Sequence, residues 1–150
     1  MKIRKLSFFL VVVLGLALFS RAAHAVDQKA ADAVINQYLA SQKSGESDAQ
    51  SQDSAIGDLN GDGKPEIVLL WVTLGPTYSS TSLTVFADVG KGYTPAASLG
   101  LTGQADKVLV KSGVILVDQM LPGKNDPLCC PSLKKQGKFR WTGKKILELN

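Results

Sequence analysis

Histidine is almost missing from this sequence: a single one, His24, occurs in 150 residues. The first 25 residues, which contain it, have no acid at all, only Lys2, Arg4, Lys5 and Arg21. Bases, then the 12-residue apolar run Phe8 to Phe19, then Ala23-His24-Ala25 follow the charged, apolar and A-x-A order of a cleavable signal peptide. The run is shorter than the roughly 20 residues a spanning helix needs, and no cysteine follows it to carry a lipid. The expectation is a periplasmic or secreted protein, with no permanent membrane anchor, beginning near Val26.

Cleavage there removes the only histidine. Ser-His-Asp triads, Cys-His pairs and the usual zinc sites are then excluded, because each needs imidazole as proton carrier or ligand. Cleavage also removes four of the 17 basic residues and leaves 13 bases against 13 acids. The basic balance of the whole chain therefore gives no reason to expect nucleic acid as a partner. No phosphate-cradling glycine loop is present. Ser132-Leu133-Lys134-Lys135 matches S-x-x-K, but Ser132 follows a proline and the accompanying S-D-N element is missing.

What remains after residues 1 to 25 is enough for one domain with its own core. Asp27 can cap a helix over residues 28 to 41, in which Ala30, Ala31, Val34, Ile35, Tyr38 and Leu39 share one face. Ser41 to Ser54 is almost wholly polar and reads as a linker or long loop, giving a helix-and-linker segment over 26 to 54 and a β domain over 55 to 150. The β domain holds Val-, Leu- and Thr-rich segments separated by glycine turns. Ile67 to Val72 is continuously apolar, as in a strand covered on both faces. Hairpins are expected at 83–99, 108–117 and 138–149. The fold class is α+β: one amphipathic helix with an antiparallel sheet of about six or seven strands.

The strongest chemical signal is Asp58-Leu59-Asn60-Gly61-Asp62-Gly63-Lys64-Pro65-Glu66. Calcium takes six to eight oxygens, so a short loop must converge several of them. Asp58, Asn60 and Asp62 stand at alternate positions, the Lys64 carbonyl is a fourth ligand, and Glu66 closes the shell directly or through water. The helix-loop-helix glutamate position is Leu69, so this is not an EF-hand. The alternative is a tight, metal-free turn built on Asn60-Gly61 and Asp62-Gly63. A bound calcium would be structural, since its ligands lie in one loop and no separate base or nucleophile stands ready for a metal-bound water. The stretch Asp58 to Val72 resembles the D-x-N-G-D-G-x-P-[DE] loops of VCBS and FG-GAP repeats, which bind calcium between strands. One copy does not imply a propeller.

Cys129 and Cys130 are the only cysteines. A bond between neighbours closes a strained eight-membered ring, so a vicinal disulfide, a bond to another chain and a free thiol pair all remain open. The run Pro122 to Ser132, with Cys129-Cys130-Pro131-Ser132, resembles the C-terminal part of LppP/LprE-type exported lipoproteins, which combine an upstream D-x-x-G-D-G segment with C-C-P-S. This chain departs from them in lacking the lipid-attachment cysteine.

Charge is unevenly spread: Glu46 to Glu66 holds six acids against Lys64, and Lys134 to Lys145 holds six bases and no acid. Lys134, Lys135, Lys138, Arg140 and Trp141 are the candidate binding surface, together with the Pro127 to Ser132 turn. The function expected is a non-enzymatic, calcium-stabilised exported domain that binds a macromolecule or envelope component. A calcium-dependent hydrolase working without histidine and an inhibitor or immunity protein against a secreted toxin are the alternatives.

Overall fold

A computed structural model describes residues 26–127 and 130–150. The signal-peptide reading and Cys129 fall outside these residues. The chain forms one helix, α1 (Gln28–Gln42), and eight strands: β1 (Asp48–Gly57), β2 (Glu66–Leu74), β3 (Ser79–Asp88), β4 (Tyr93–Leu101), β5 (Gln104–Lys111), β6 (Val114–Leu121), β7 (Leu133–Trp141) and β8 (Ile146–Leu149). They make two four-stranded antiparallel meanders, β1-β2-β3-β4 and β5-β6-β7-β8. The single domain is mostly β, with one helix, rather than α+β in even measure.

The balance shifts because the polar stretch before Ser54 is not a linker. Asp48 to Gly57 pairs along its length with Glu66 to Leu74, shifting register between Ser51 and Asp53. Edge strands tolerate such sequences: one side of the ladder faces water, and half the side chains need no apolar neighbour. Asp53 then supplies what its sequence neighbours lack. Its Oδ2 accepts the Val108 amide at 2.9 Å, linking β1 to β5 in the other sheet.

Helix α1 begins where expected, with the Asp27 carboxylate accepting the Ala30 amide at 2.7 Å. It docks on the sheet: Ala31, Ile35 and Leu39 are buried with Ala49, Ile67, Leu69, Trp71 and Phe86. Tyr38 packs edge-on against Trp71 and Phe86, with ring centroids 5.8 and 5.1 Å away. The opposite face of the same sheet meets the second sheet through Val68, Leu70, Leu83, Val85, Val108, Ile115, Val117 and Phe139. Strand β2 thus sends odd-numbered residues to the helix and even-numbered ones to the second sheet, which is why Ile67 to Leu70 are all fully buried.

The three expected hairpins are present as β3-β4, β5-β6 and β7-β8. In β5-β6 the two turn residues, Ser112 and Gly113, have φ of 50° and 74°, the positive values a tight two-residue turn requires. The sandwich is closed where β1 meets β5: a Cβ on Gly57 would lie 2.5 Å from Val110 Cγ1. It is open at the β4-β8 side, where Leu99, Leu101, Phe139, Ile146 and Leu147 help to line a cleft of about 400 Å³. Among the described residues no helix is long and apolar enough to cross a membrane.

Candidate metal loop and cationic sheet face

The loop from Asp58 to Pro65 connects the end of β1 to the start of β2. Its backbone amides turn back onto its own side chains. Asp58 Oδ1 accepts from Gly61 N at 2.6 Å and Asn60 N at 3.2 Å, and Oδ2 accepts from Gly63 N at 2.9 Å. Asn60 Oδ1 accepts from Asp62 N at 2.8 Å, and Asp62 Oδ1 from Lys64 N at 2.7 Å. Gly61 and Gly63 hold φ of 78° and 81°, which brings those amides inward at no Cβ cost.

Glu66 anchors the loop to the core. It is 3% exposed, and its Oε2 accepts the Leu59 amide at 2.7 Å. Leu59 itself is buried between the sheets, so the loop lies down over the end of the sandwich. Burial pushes the Glu66 carboxyl above the ordinary range; the Leu59 amide opposes this, and the negative charges of Asp62 and Asp58 add to the rise. Asp58 goes the other way: amide donors, Gly63 first, hold it below the ordinary range.

One donor stands among these acceptors. Asn60 Nδ2 reaches both Asp62 Oδ2 and Glu66 Oε1 at 3.2 Å, partially neutralising two carboxylates. Its orientation follows from Oδ1, which is taken by the Asp62 amide. Among the described residues no three His, Cys, Asp or Glu side chains are arranged to hold a metal ion. Asp58, Asp62 and Glu66 are nonetheless hard oxygen donors of the kind calcium takes. The loop thus brings Asp58, Asn60, Asp62 and Glu66 together through hydrogen bonds, and not as a preformed set of metal ligands.

Two further residues share this end of the sheet and were not singled out from sequence. Tyr93 donates its hydroxyl to the Pro65 carbonyl at 2.7 Å. Burial raises the Tyr93 pKa, and the charges of Asp88, Glu66 and Asp62 raise it further. Asp88 forms its own turn, accepting from Gly90 N at 2.8 Å and Gly92 N at 3.2 Å. The signal was in the register: Ile67 pairs with Phe86 and Asp88 with Tyr93, which puts the β3-β4 turn beside the start of β2.

The expected binding residues divide. Lys134, Lys138 and Arg140 are exposed on β7, whereas Trp141 is buried in the core and adds nothing to a surface. Lys135 pairs with Glu148 at 2.8 Å. Beside the expected Pro127 to Ser132 surface, of which Leu128 and Cys129 fall outside the described residues, Asp126 Oδ2 accepts from Gly123 N at 2.6 Å and Ser132 N at 2.7 Å, while Oδ1 accepts from Ser132 Oγ at 2.9 Å. These donors lower the Asp126 pKa, with the Gly123 amide the largest cause. Cys130 is exposed, and its amide donates to the Pro127 carbonyl at 3.0 Å. Asp126 thus ties Gly123 to Ser132.

No family model matches the chain, and no curated protein or solved structure is similar to it.

Proposed function

We propose that this is an exported, non-enzymatic binding domain whose β1-β2 loop takes a structural calcium ion. The observation that carries the reading is Glu66: a carboxylate buried at the start of the central strand, facing Asp58 and Asp62, with one amide donor between it and Asp62. A divalent cation would offset the desolvation and repulsion together. Two cysteines adjacent in sequence, and a loop-to-CCPS order like that of the LppP/LprE-type proteins, support export and a vicinal disulfide.

The test is a melting curve of the purified protein in calcium and in chelator. Calcium should raise the melting temperature, and alanine at Asp62 should abolish the rise while leaving partner capture intact. No shift at millimolar calcium would sink the metal assignment. Loss of capture together with the shift would instead place the ion in the binding site.

A further inference from the structure

Sheet β1-β4 is covered on its outer face by α1, but among the described residues no element packs on the outer face of sheet β5-β8. Inward residues of that sheet include Val108, Ile115, Val117 and Phe139, so their alternates face outward. The register aligns these alternates across the strands. Leu109 stands opposite Leu116, Leu116 opposite Lys138, and Lys138 opposite Leu149, making one row over all four strands. Arg140 opposes Leu147 beside it, and Lys111 opposes Val114. Lys107 and Lys134 lie on the other side of the row, across from Asp118 and Met120.

The face therefore has an apolar band crossed and bordered by five cations. Leu109 and Leu147 are 46% and 42% exposed. None of Lys107, Lys111, Lys134, Lys138 and Arg140 has an ion-pair partner among the described residues, whose two ion pairs are Lys43–Asp48 and Lys135–Glu148. Two acids, Asp106 and Asp118, line one end of the face beside Met120 and Lys134, and Asp118 already accepts from Gln136 Nε2 at 3.0 Å, which leaves the five cations in excess.

Charge narrows what can cover it. Residues 1 to 25 carry four bases and no acid, so the chain's own N-terminus is repelled. A second copy bound through the same face would set five cations against five. Protein partners select aromatics and deplete lysine in an interface core, and this face offers four lysines and no aromatic. Single-stranded nucleic acid needs stacking aromatics, and Phe139 and Trp141 both point inward. An open, shallow face with leucines between lysines instead matches a plane of anionic headgroups over acyl chains: cations lie at phosphate level while the leucines dip below.

We infer that the outer face of β5-β8 is a peripheral docking surface for an anionic phospholipid bilayer. The inference rests on reading the domain as a binding module, but not on its calcium, so the calcium-dependent melting shift survives if this one fails.

The test is sedimentation of the chain from Val26 onward, the form that export would leave, with phosphatidylglycerol-containing vesicles and with phosphatidylcholine vesicles, beside the triple variant Lys107→Glu, Lys138→Glu, Arg140→Glu. Leaving out residues 1 to 25 removes a basic, apolar segment that would itself bind anionic vesicles, so the difference between the two proteins reads the face alone. Wild type should bind the anionic vesicles at least about tenfold better than the variant at about 0.1 M salt, and the gap should shrink as salt rises. On neutral vesicles the two should be equal. An unchanged melting temperature shows that the variant folds; if it does not, glutamine at the same three positions serves instead. Leu109→Ser with Leu147→Ser should weaken anionic binding while preserving its salt dependence. Equal binding by wild type and charge variant overturns the inference, as does face-dependent capture of RNA or polyglutamate that is tighter than capture of vesicles.

Discussion

Asp53 and Val108 join the two sheets by one carboxylate-to-amide hydrogen bond of 2.9 Å, made where both edge strands are irregular. β1 shifts register between Ser51 and Asp53, and β5 between Ala105 and Lys107. Each bulge frees the group the other needs: Asp53 turns toward the neighbouring sheet, and the Val108 amide finds an acceptor outside its own ladder. Asp53→Ala leaves that amide, on a residue 1% exposed, without its partner. The expected cost is about 1–3 kcal/mol, with Asp53→Asn milder because it keeps an acceptor. Urea denaturation of the three proteins checks the order, and equal midpoints would contradict it.

Gly57 and Val110 meet at the same closed edge, so Gly57→Ala should destabilise by about 1–3 kcal/mol through overpacking. The cause is contact, since the new Cβ would lie 2.5 Å from Val110 Cγ1. Adding Val110→Ala should return part of the loss. A double mutant no better than the single would show that the contact is not the cause.

Glu66 gives a pH dependence whose sign follows from burial. Its folded pKa is raised above the unfolded value, so without metal its stabilising contribution is complete below the unfolded pKa. That contribution is lost as pH rises through the folded pKa. Calcium favours the ionised form and reverses this, so the calcium-induced melting shift should be large at neutral pH and shrink on acidification. Glu66→Gln should melt close to wild type in chelator and show no calcium shift. Glu66→Ala, which also orphans the Leu59 amide, should melt lower in both. Calorimetry at neutral and acidic pH separates these outcomes.

Asn60→Asp exchanges the only amide donor between Asp62 and Glu66 for another carboxylate. In chelator the variant should be less stable than wild type, because negative charges then face each other with no donor between them. Calcium affinity should rise, since the added oxygen is a charged ligand. Isothermal titration gives the affinity and melting in chelator gives the stability. Weaker calcium binding by the variant would argue against Asn60 as a ligand position.

The cysteine pair has a simpler readout. Intact mass of the monomer should rise by about two units on reduction if Cys129 and Cys130 are bonded to each other. A dimer that reduction splits would point to a bond between chains.

The hairpins and the doubly covered strand were legible because their signals are local: glycine turns between β-branched runs, and an unbroken apolar stretch from Ile67 to Val72. The helix was legible from its spacing and its Asp27 cap. Strand β1 was not, because nothing in Asp48 to Ser54 alternates apolar with polar; its place depends on the β2 backbone and on Val108. The candidate loop could be read position by position, since alternate oxygens in one short segment are visible in sequence. Tyr93 and Asp88 could not, as they reach the loop through sheet register. Trp141 misleads for a related reason: lysines surround it in sequence, while the pleat turns it inward.

Strand β2 belongs to both cores, so neither the helix layer nor the second sheet can peel away without uncovering it. Heat should therefore melt the molecule as one cooperative unit, with helix and sheet signals disappearing together. Glu66 is the first residue of that shared strand, so a cation held there would act like a keystone, its grip felt in both layers at once.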